Sequence, residues 1–432
     1  MKTIIKTIKQ TYRNVLQSIA FYPVLLGFVF IIMAIVALHM DSSEITQSLK
    51  EELPFLFIQD FETARAILST FIGGILSLTV FSFTMVMVVL SQASSDFSPR
   101  LLPGLISNKR HQIILGIYIG TLLYCTIILI SLGAYGVDSN RLGLSTMLAA
   151  LLSVVCIGLF VYFIHSISRA IQIHNIIDEI YDHCDIYLEE ELKKADSSTV
   201  ALQYVDTKDW VVLKADKTGY FRGFDADLMA GSIRESENQI EVVPYLNQHI
   251  WEGSPALRVM QPLNDEEQEK LTFCLNISSD RHEEDKGIGG MIKLMEIAVK
   301  AMSPGINDPG TAIDAITKLG GLLHRFLQFP KITSEPYRER SVILIKHTIS
   351  AEELMRVVVQ PIRLYAKKDS TVIYELIAAL QFIETAPNIS AESKNAVAIE
   401  IEALREDIDE HIGNEIDKKR ILTLFNKSDL YE

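Results

Sequence analysis

The stretch ILSTFIGGILSLTVFSFTMVMVVL, Ile67 to Leu90, decides what kind of protein this is. No charged side chain interrupts it, and it exceeds the ~20 residues a helix needs to cross a ~30 Å hydrocarbon core. Three further runs share the property: Phe21 to Met40, Ile113 to Gly133 and Leu142 to His165. The chain therefore reads as an α-helical integral membrane protein with four transmembrane helices. The first run lacks the small-residue cleavage pattern of a signal peptide.

The loops between these runs carry an orientation signal. Lys2, Lys6, Lys9 and Arg13 precede the first run, and Arg100, Lys109 and Arg110 lie between the second and third. The other loops hold only Lys50, Arg65 and Arg141, with Asp41, Glu44, Glu51, Glu52, Asp60 and Glu62 crowded into the first. Lysine and arginine favour the cytoplasmic side, so both termini are expected in the cytoplasm. Residues 1–20 place Ile4, Ile8, Tyr12, Val15 and Ile19 on one helical face. They form either an interfacial amphipathic helix or a plain lead-in.

Charge divides the chain in the same place. Up to Ser166 there are ten Lys and Arg and eight Asp and Glu; the remainder holds 30 and 46, a balance of +2 against −16. With a mean hydropathy of +0.23, this is a membrane part followed by an acidic, water-facing part, which argues against nucleic acid as a partner. The four cysteines form no CxxC pair, as suits a reducing compartment.

Within the second run Thr70, Gly73, Ser77 and Thr84 fall on one helical stripe. Small and hydroxyl residues at this spacing let helices approach closely. They equally suit the wall of a narrow aqueous path. Beyond it, SQASSDFSPRLLPG ends the helix at its prolines and sets Arg100 where it can meet lipid phosphates.

The water-facing part is expected as a helical stalk over 167–195, a small β-barrel or sandwich over 196–278 and a helical bundle over 279–432. In the stalk, Ile167, Ile171, His174, Ile177, Tyr181, Cys184 and Leu188 recur at steps of three and four, a seam that can pair with copies of itself. The pairs His174/Asp178 and Glu179/His183 have metal-ligand spacing but arise easily by chance on an acidic helix. Short β-branched runs, among them DWVVLKA, GYFRGF, QIEVVPYL, PALRVMQP and LTFCLNIS, alternate with Gly, Asp and Pro signals and read as strands. Helices then resume, with Asp369 and Asn388 as caps.

AMSPGINDPGTA, Ala301 to Ala312, breaks two of those helices apart. Pro304 ends the first, Gly305 permits a left-handed turn, and Asp308-Pro309 starts the second. Asn307 is a second capping candidate. The same helix start offers N–H groups to an anion, a site for which Asp308 competes. Ser303, Asn307 and Asp308, with Arg281 to Asp285 folding beside them, are the candidate site for a small ion or ligand.

Two stretches, ASSDFSPRLLPGLISNKRHQIILGIYIGTLLYC and DKGIGGMIKLMEIAVKAMSPGINDPGTAID, resemble the bacterial predicted membrane proteins grouped as domain of unknown function 2254. The resemblance implies that Phe97 to Leu101, Ala301 to Ala312, Arg281 and Asp285 are signature positions. Asp96 and Gly310 depart from its pattern. It implies an architecture, a place in the inner membrane of a bacterium, and no biochemical role.

No phosphate-binding loop, nucleophile elbow, zinc-type helix or dinucleotide fingerprint occurs, so an enzyme is not expected and no cofactor is implied. The leading expectation is an oligomeric channel or pore, built from copies of this chain, lined by Thr70, Gly73, Ser77 and Thr84 and regulated by the cytoplasmic domain. The alternatives are a membrane-anchored binding or sensing module and a structural membrane organiser.

Overall fold

A computed structural model describes residues 20–41, 43, 46, 48, 51–52, 57–58, 60–96, 109–134, 143–170, 172–197, 206–279, 287–336 and 342–425. The chain divides into two compact units, Met1–Gln172 and Ile173–Glu432.

The first unit holds four helices long and apolar enough to cross a bilayer. They are α1 (Phe21–Met40), α2 (Phe61–Asp96), α3 (Lys109–Ala134) and α4 (Leu144–Ala170). Each falls on an expected span: α1 matches its bounds, α2 and α3 run further at both ends, and α4 begins two residues later and ends five later. The third helix is the centre: 50% of its apolar window is buried, against 17%, 17% and 22% for the others. One core gathers Phe30, Ala34 and Ala37 of α1, Leu68 of α2 and Ala149 of α4 around Tyr124, Cys125 and Ile128 of α3. The other joins Ile75 and Val89 of α2 and Cys156, Phe163 and Ile167 of α4 to Ile114 and Tyr118 of α3. Other large apolar side chains face outward, among them Phe28, Ile32, Val80 and Val161, as hydrocarbon permits and water does not.

Close approach within this unit uses a glycine pair that the stripe on α2 does not contain. A Cβ at Gly116 would lie 2.6 Å from Leu26 Cδ1 and 3.1 Å from Pro23 Cα, and one at Gly120 2.7 Å from the Phe30 ring. Gly116 and Gly120 are four apart, so they make one smooth face against which α1 lies. Gly73 and Gly74 meet nothing within 4 Å.

The second unit opens with α5 (Ile173–Ser197) and continues β1 (Val211–Lys214), β2 (Gly219–Phe224), α6 (Gly231–Arg234), β3 (Gln239–Val242), β4 (His249–Ile250), β5 (Pro255–Val259), α7 (Asp265–Thr272) and β6 (Leu275–Ser278). Then follow α8 (Ile288–Ala301), α9 (Pro309–Phe326), β7 (Ile332–Pro336), β8 (Ile343–His347), α10 (Ala351–Val358), α11 (Gln360–Ala366), α12 (Ser370–Glu384), α13 (Ala391–His411) and α14 (Glu415–Phe425).

The strands make two open sheets, ordered β1-β5-β3-β8-β7 and β4-β2-β6, and no closed barrel forms among the described residues. In place of the expected barrel, the larger sheet is extended by two strands from later in the chain. The hairpin β7–β8 lies in a stretch expected to be helical, and β8 pairs parallel to β3 through Gln239–Ile343 and Val242–Lys346. Val342 and Leu344 complete the core that Phe221, Ile240, Leu257 and Leu275 begin. The sheet therefore reaches past 278 into the expected bundle. Within LTFCLNIS, Leu271 and Thr272 belong to α7, whose Asn264–Glu267 capping box sets its start. The run TVALQYV lies outside the described residues, as does most of the lead-in 1–20.

The stalk seam has a different partner from the one expected. α4 stops at Ala170 and α5 begins at Ile173, so the helix is not continuous. Ile176, Ile177, Cys184 and Leu188 are buried against α8 and α9 of the same chain, which leaves that seam unavailable for pairing with copies. His174 Nδ1 lies 2.7 Å from Asp314, Lys318 Nζ 2.7 Å from Asp178 and Arg325 Nε 2.5 Å from Asp185. His174 and Asp178 are thus committed to α9. Asp369 caps α12 as expected, accepting from the Thr371 and Val372 N–H groups; Ser390 rather than Asn388 caps α13.

In the larger sheet Glu241 is buried between Arg258 Nη1 at 2.9 Å and His347 Nε2 at 2.6 Å. Burial alone would raise its pKa; the bonds from His347, Arg258 and Thr207 outweigh it and hold the carboxyl at about 2. Because the folded value lies below the unfolded one, this stability is present above pH ~4.5 and drains away as pH falls toward 2. Two predictions follow from this packing. Thermal melting of the full chain in detergent should lose stability more steeply between pH 4.5 and 2.5 than that of Glu241→Gln, by on the order of 3 kcal/mol; parallel profiles would remove the pair's role. Gly120→Leu should cost several kcal/mol by overpacking while Gly74→Leu is tolerated, measured as melting of the detergent-solubilised chain; equal effects would show that α1 does not seat on that glycine face.

Candidate functional site: the outward stripe of the second helix and the SPGINDPG corner

Residues on α2 follow the 3.6-residue period, so Thr70, Gly73, Ser77 and Thr84 share a face. That face turns away from the unit's own helices, and all four residues are exposed. Their hydroxyls bond back along the helix: Thr70 Oγ1 to Ala66 O at 2.8 Å, Ser77 Oγ to Gly73 O at 2.9 Å and Thr84 Oγ1 to Val80 O at 2.9 Å. Each proton is committed to a carbonyl, so outward the stripe offers oxygen lone pairs.

The corner between α8 and α9 is built from its own backbone. The Asp308 N–H donates to Ala301 O at 2.8 Å, closing the loop over its neck, and the Asn307 N–H donates to Ser303 O at 3.0 Å. Ser303 donates its hydroxyl to Lys300 O at 2.6 Å. The left-handed residue is Asn307, at φ 47°, and not the expected Gly305; asparagine tolerates this region better than other side chains. Asn307 therefore turns the chain, and capping falls to Asp308 alone. Its carboxylate accepts from the Thr311 N–H at 3.1 Å and the Thr311 hydroxyl at 2.6 Å. The Thr311 hydroxyl and N–H lower its pKa against a small desolvation effect. With a carboxylate seated on the N–H groups of α9, an anion has no place there.

The structure thus brings Ser303, Asn307 and Asp308 together in one loop and sets the α2 stripe in the other unit. Arg281, Asp285, Arg100 and the stretch Phe97 to Leu101 lie outside the described residues. Asp308→Ala should lower stability by about 1 kcal/mol while Asp308→Asn keeps most of it. Denaturant melts of the full chain check this, and an unchanged midpoint in the alanine variant would leave the corner without its cap.

Sequence reasoning missed a set of polar groups inside the first unit. Asp41, one residue past α1, looks like a loop acid but is buried. Its carboxylate accepts from Ser145 N at 2.9 Å and from Ser145 Oγ at 2.5 Å, so an acid at the end of α1 caps the start of α4. Tyr124 donates to Ser145 O at 3.0 Å. At the other end His111 and Ser166 lie 3.2 Å apart. Only a polar residue amid apolar spans marks these positions in sequence, and Thr121 and Ser153 look the same as the outward Thr84.

A family model described as "Predicted membrane protein (DUF2254)" matches residues 17–381. Among curated proteins, the chain is 27% identical over 269 residues to the uncharacterized proteins Mb1321c of Mycobacterium bovis and Rv1290c of Mycobacterium tuberculosis. These alignments cover 60% of this chain and 50% of each relative, so the chain spans about half the length of those proteins. No solved structure matches it. The architecture, the corner and the family match agree: this chain belongs to the DUF2254 family of predicted membrane proteins.

Proposed function

We propose that the protein is a subunit of an oligomeric cation channel in the bacterial inner membrane, with its termini and second unit in the cytoplasm. The observation that carries this reading is the outward stripe of α2. In a single copy its four residues are exposed; around a ring of copies, Thr70, Gly73, Ser77 and Thr84 line a shared path. Oxygen lone pairs with their protons turned inward are the lining a cation needs to replace its water. The balance of −16 after Ser166 raises the local cation concentration at the cytoplasmic mouth. No catalytic step belongs to this reading.

One observation favours the runner-up, a membrane-anchored binding or sensing module. The second unit contains a cavity of about 490 Å³ whose lining includes Phe326, Phe329, Ser350, Asn388 and Glu392, a size that suits a small molecule.

The channel reading predicts discrete cation currents when the purified chain is reconstituted in a planar bilayer, abolished when Thr70, Ser77 and Thr84 are changed together to Leu. A silent bilayer holding inserted, oligomeric protein would sink it, as would currents that survive those changes.

A further inference from the structure

The interior of the first unit is more polar than packing requires. In hydrocarbon, buried polar groups hold helices together by bonding to one another, and an unpaired one is costly. Among the described residues, three such atoms make no hydrogen bond of good geometry: Tyr118 OH and Ser82 Oγ, which face each other, and Gln112 Oε1. Tyr118 and Ser82 are fully buried at 0% exposure, and Gln112 is 4% exposed. Such groups are normally paired, with protein or with ordered water. A buried polar site with several unpaired groups is where water enters a protein interior.

These groups lie on a line. Tyr118 sits beside Ser82 and within electrostatic reach of Cys156. The Cys156 thiol donates to Thr121 Oγ1 at 3.4 Å and is within reach of Cys125, itself beside Ser153. Tyr124 is within reach of both Cys125 and Asp41. The line follows α3 along its contacts with α2 and α4, and a titratable group stands at each end: Asp41 where α4 begins and His111 where it closes. Between His111 and Tyr118, about 10 Å along the axis, Ile114 and Phe163 form an apolar layer, with the Phe163 ring edge-on to His111 at 5.5 Å.

We propose that this seam is a proton path through each copy, in which water entering between His111 and Asp41 links them by way of Tyr118 and Ser82 and crosses the Ile114–Phe163 layer. Hydroxyls that can both donate and accept relay a proton without holding it, and a titratable group at each end of the spans can take up or release one. One proton enters at one end as one leaves at the other, driven by the gradient alone. The path lies inside one four-helix unit, so it does not depend on the stripe of α2 or on assembly.

The test is proton uptake into liposomes that carry the full chain and an internal pH-sensitive dye, driven by a potassium gradient with valinomycin. The expected result is uptake well above empty liposomes, cut at least tenfold in Tyr118→Phe and in Tyr118→Phe with Ser82→Ala, and unchanged in the outward-facing control Val161→Ala. These substitutions remove hydroxyls with little change of volume; size-exclusion profiles confirm that each variant is folded and inserted. Uptake equal to empty liposomes, or undiminished in folded Tyr118→Phe, overturns the proposal. So does uptake lost with the Leu changes at Thr70, Ser77 and Thr84 but kept in Tyr118→Phe, which would put the path on the stripe. A bilayer silent to potassium together with proton uptake that depends on Tyr118 would defeat the channel reading and leave this one standing.

Discussion

Everything in the first unit depends on one constraint: a segment in hydrocarbon must close its backbone hydrogen bonds within itself. That makes each of the four runs a helix before any contact is considered. It also removes the hydrophobic effect as the force that joins them, because lipid tails are as apolar as leucine. What remains is close fit and polar pairing. The Gly116–Gly120 face supplies the fit for α1, and the Asp41–Ser145 cap supplies a polar bond between α1 and α4 across 104 residues.

In the second unit water is present and the arrangement changes. α5 hides an apolar seam against α8 and α9 and ties its flank to α9 through three ion pairs. Those pairs are partly exposed, so each adds only modest stability by itself; their effect is to fix which face of α5 meets α9. The corner before α9 is consequently held from both sides, by its own cap and by the helix on which it stands. Glu241 plays the comparable part in the larger sheet, where Arg258 and His347 from neighbouring strands meet one buried carboxylate.

Several elements were legible from residues alone because their causes are local. Span length, the stop at Ala301, the cap at Asp308 and the strand GYFRGF depend on hydrophobic period, proline, a carboxylate and turn signals within a few positions. SVILIKHTIS reads equally well as a helix. It becomes β8 because β3 offers an open edge about a hundred residues earlier, a fact that no local window contains. The left-handed residue fell on Asn307 and not on Gly305 for a related reason: the closing bond from Asp308 to Ala301 O dictates where the chain must turn.

The sequence by itself determined the solvent of each part: four spans for a bilayer, an acidic remainder for water, and a family signature at the corner. Only the tertiary structure decided which polar residues face inward. Thr84 and Thr121 are the same residue in similar runs, yet one looks out from α2 and the other is buried beside Cys156. The physical reason is that the position of α3 among three other helices is set by long-range fit, and that fit decides which side chains are removed from lipid.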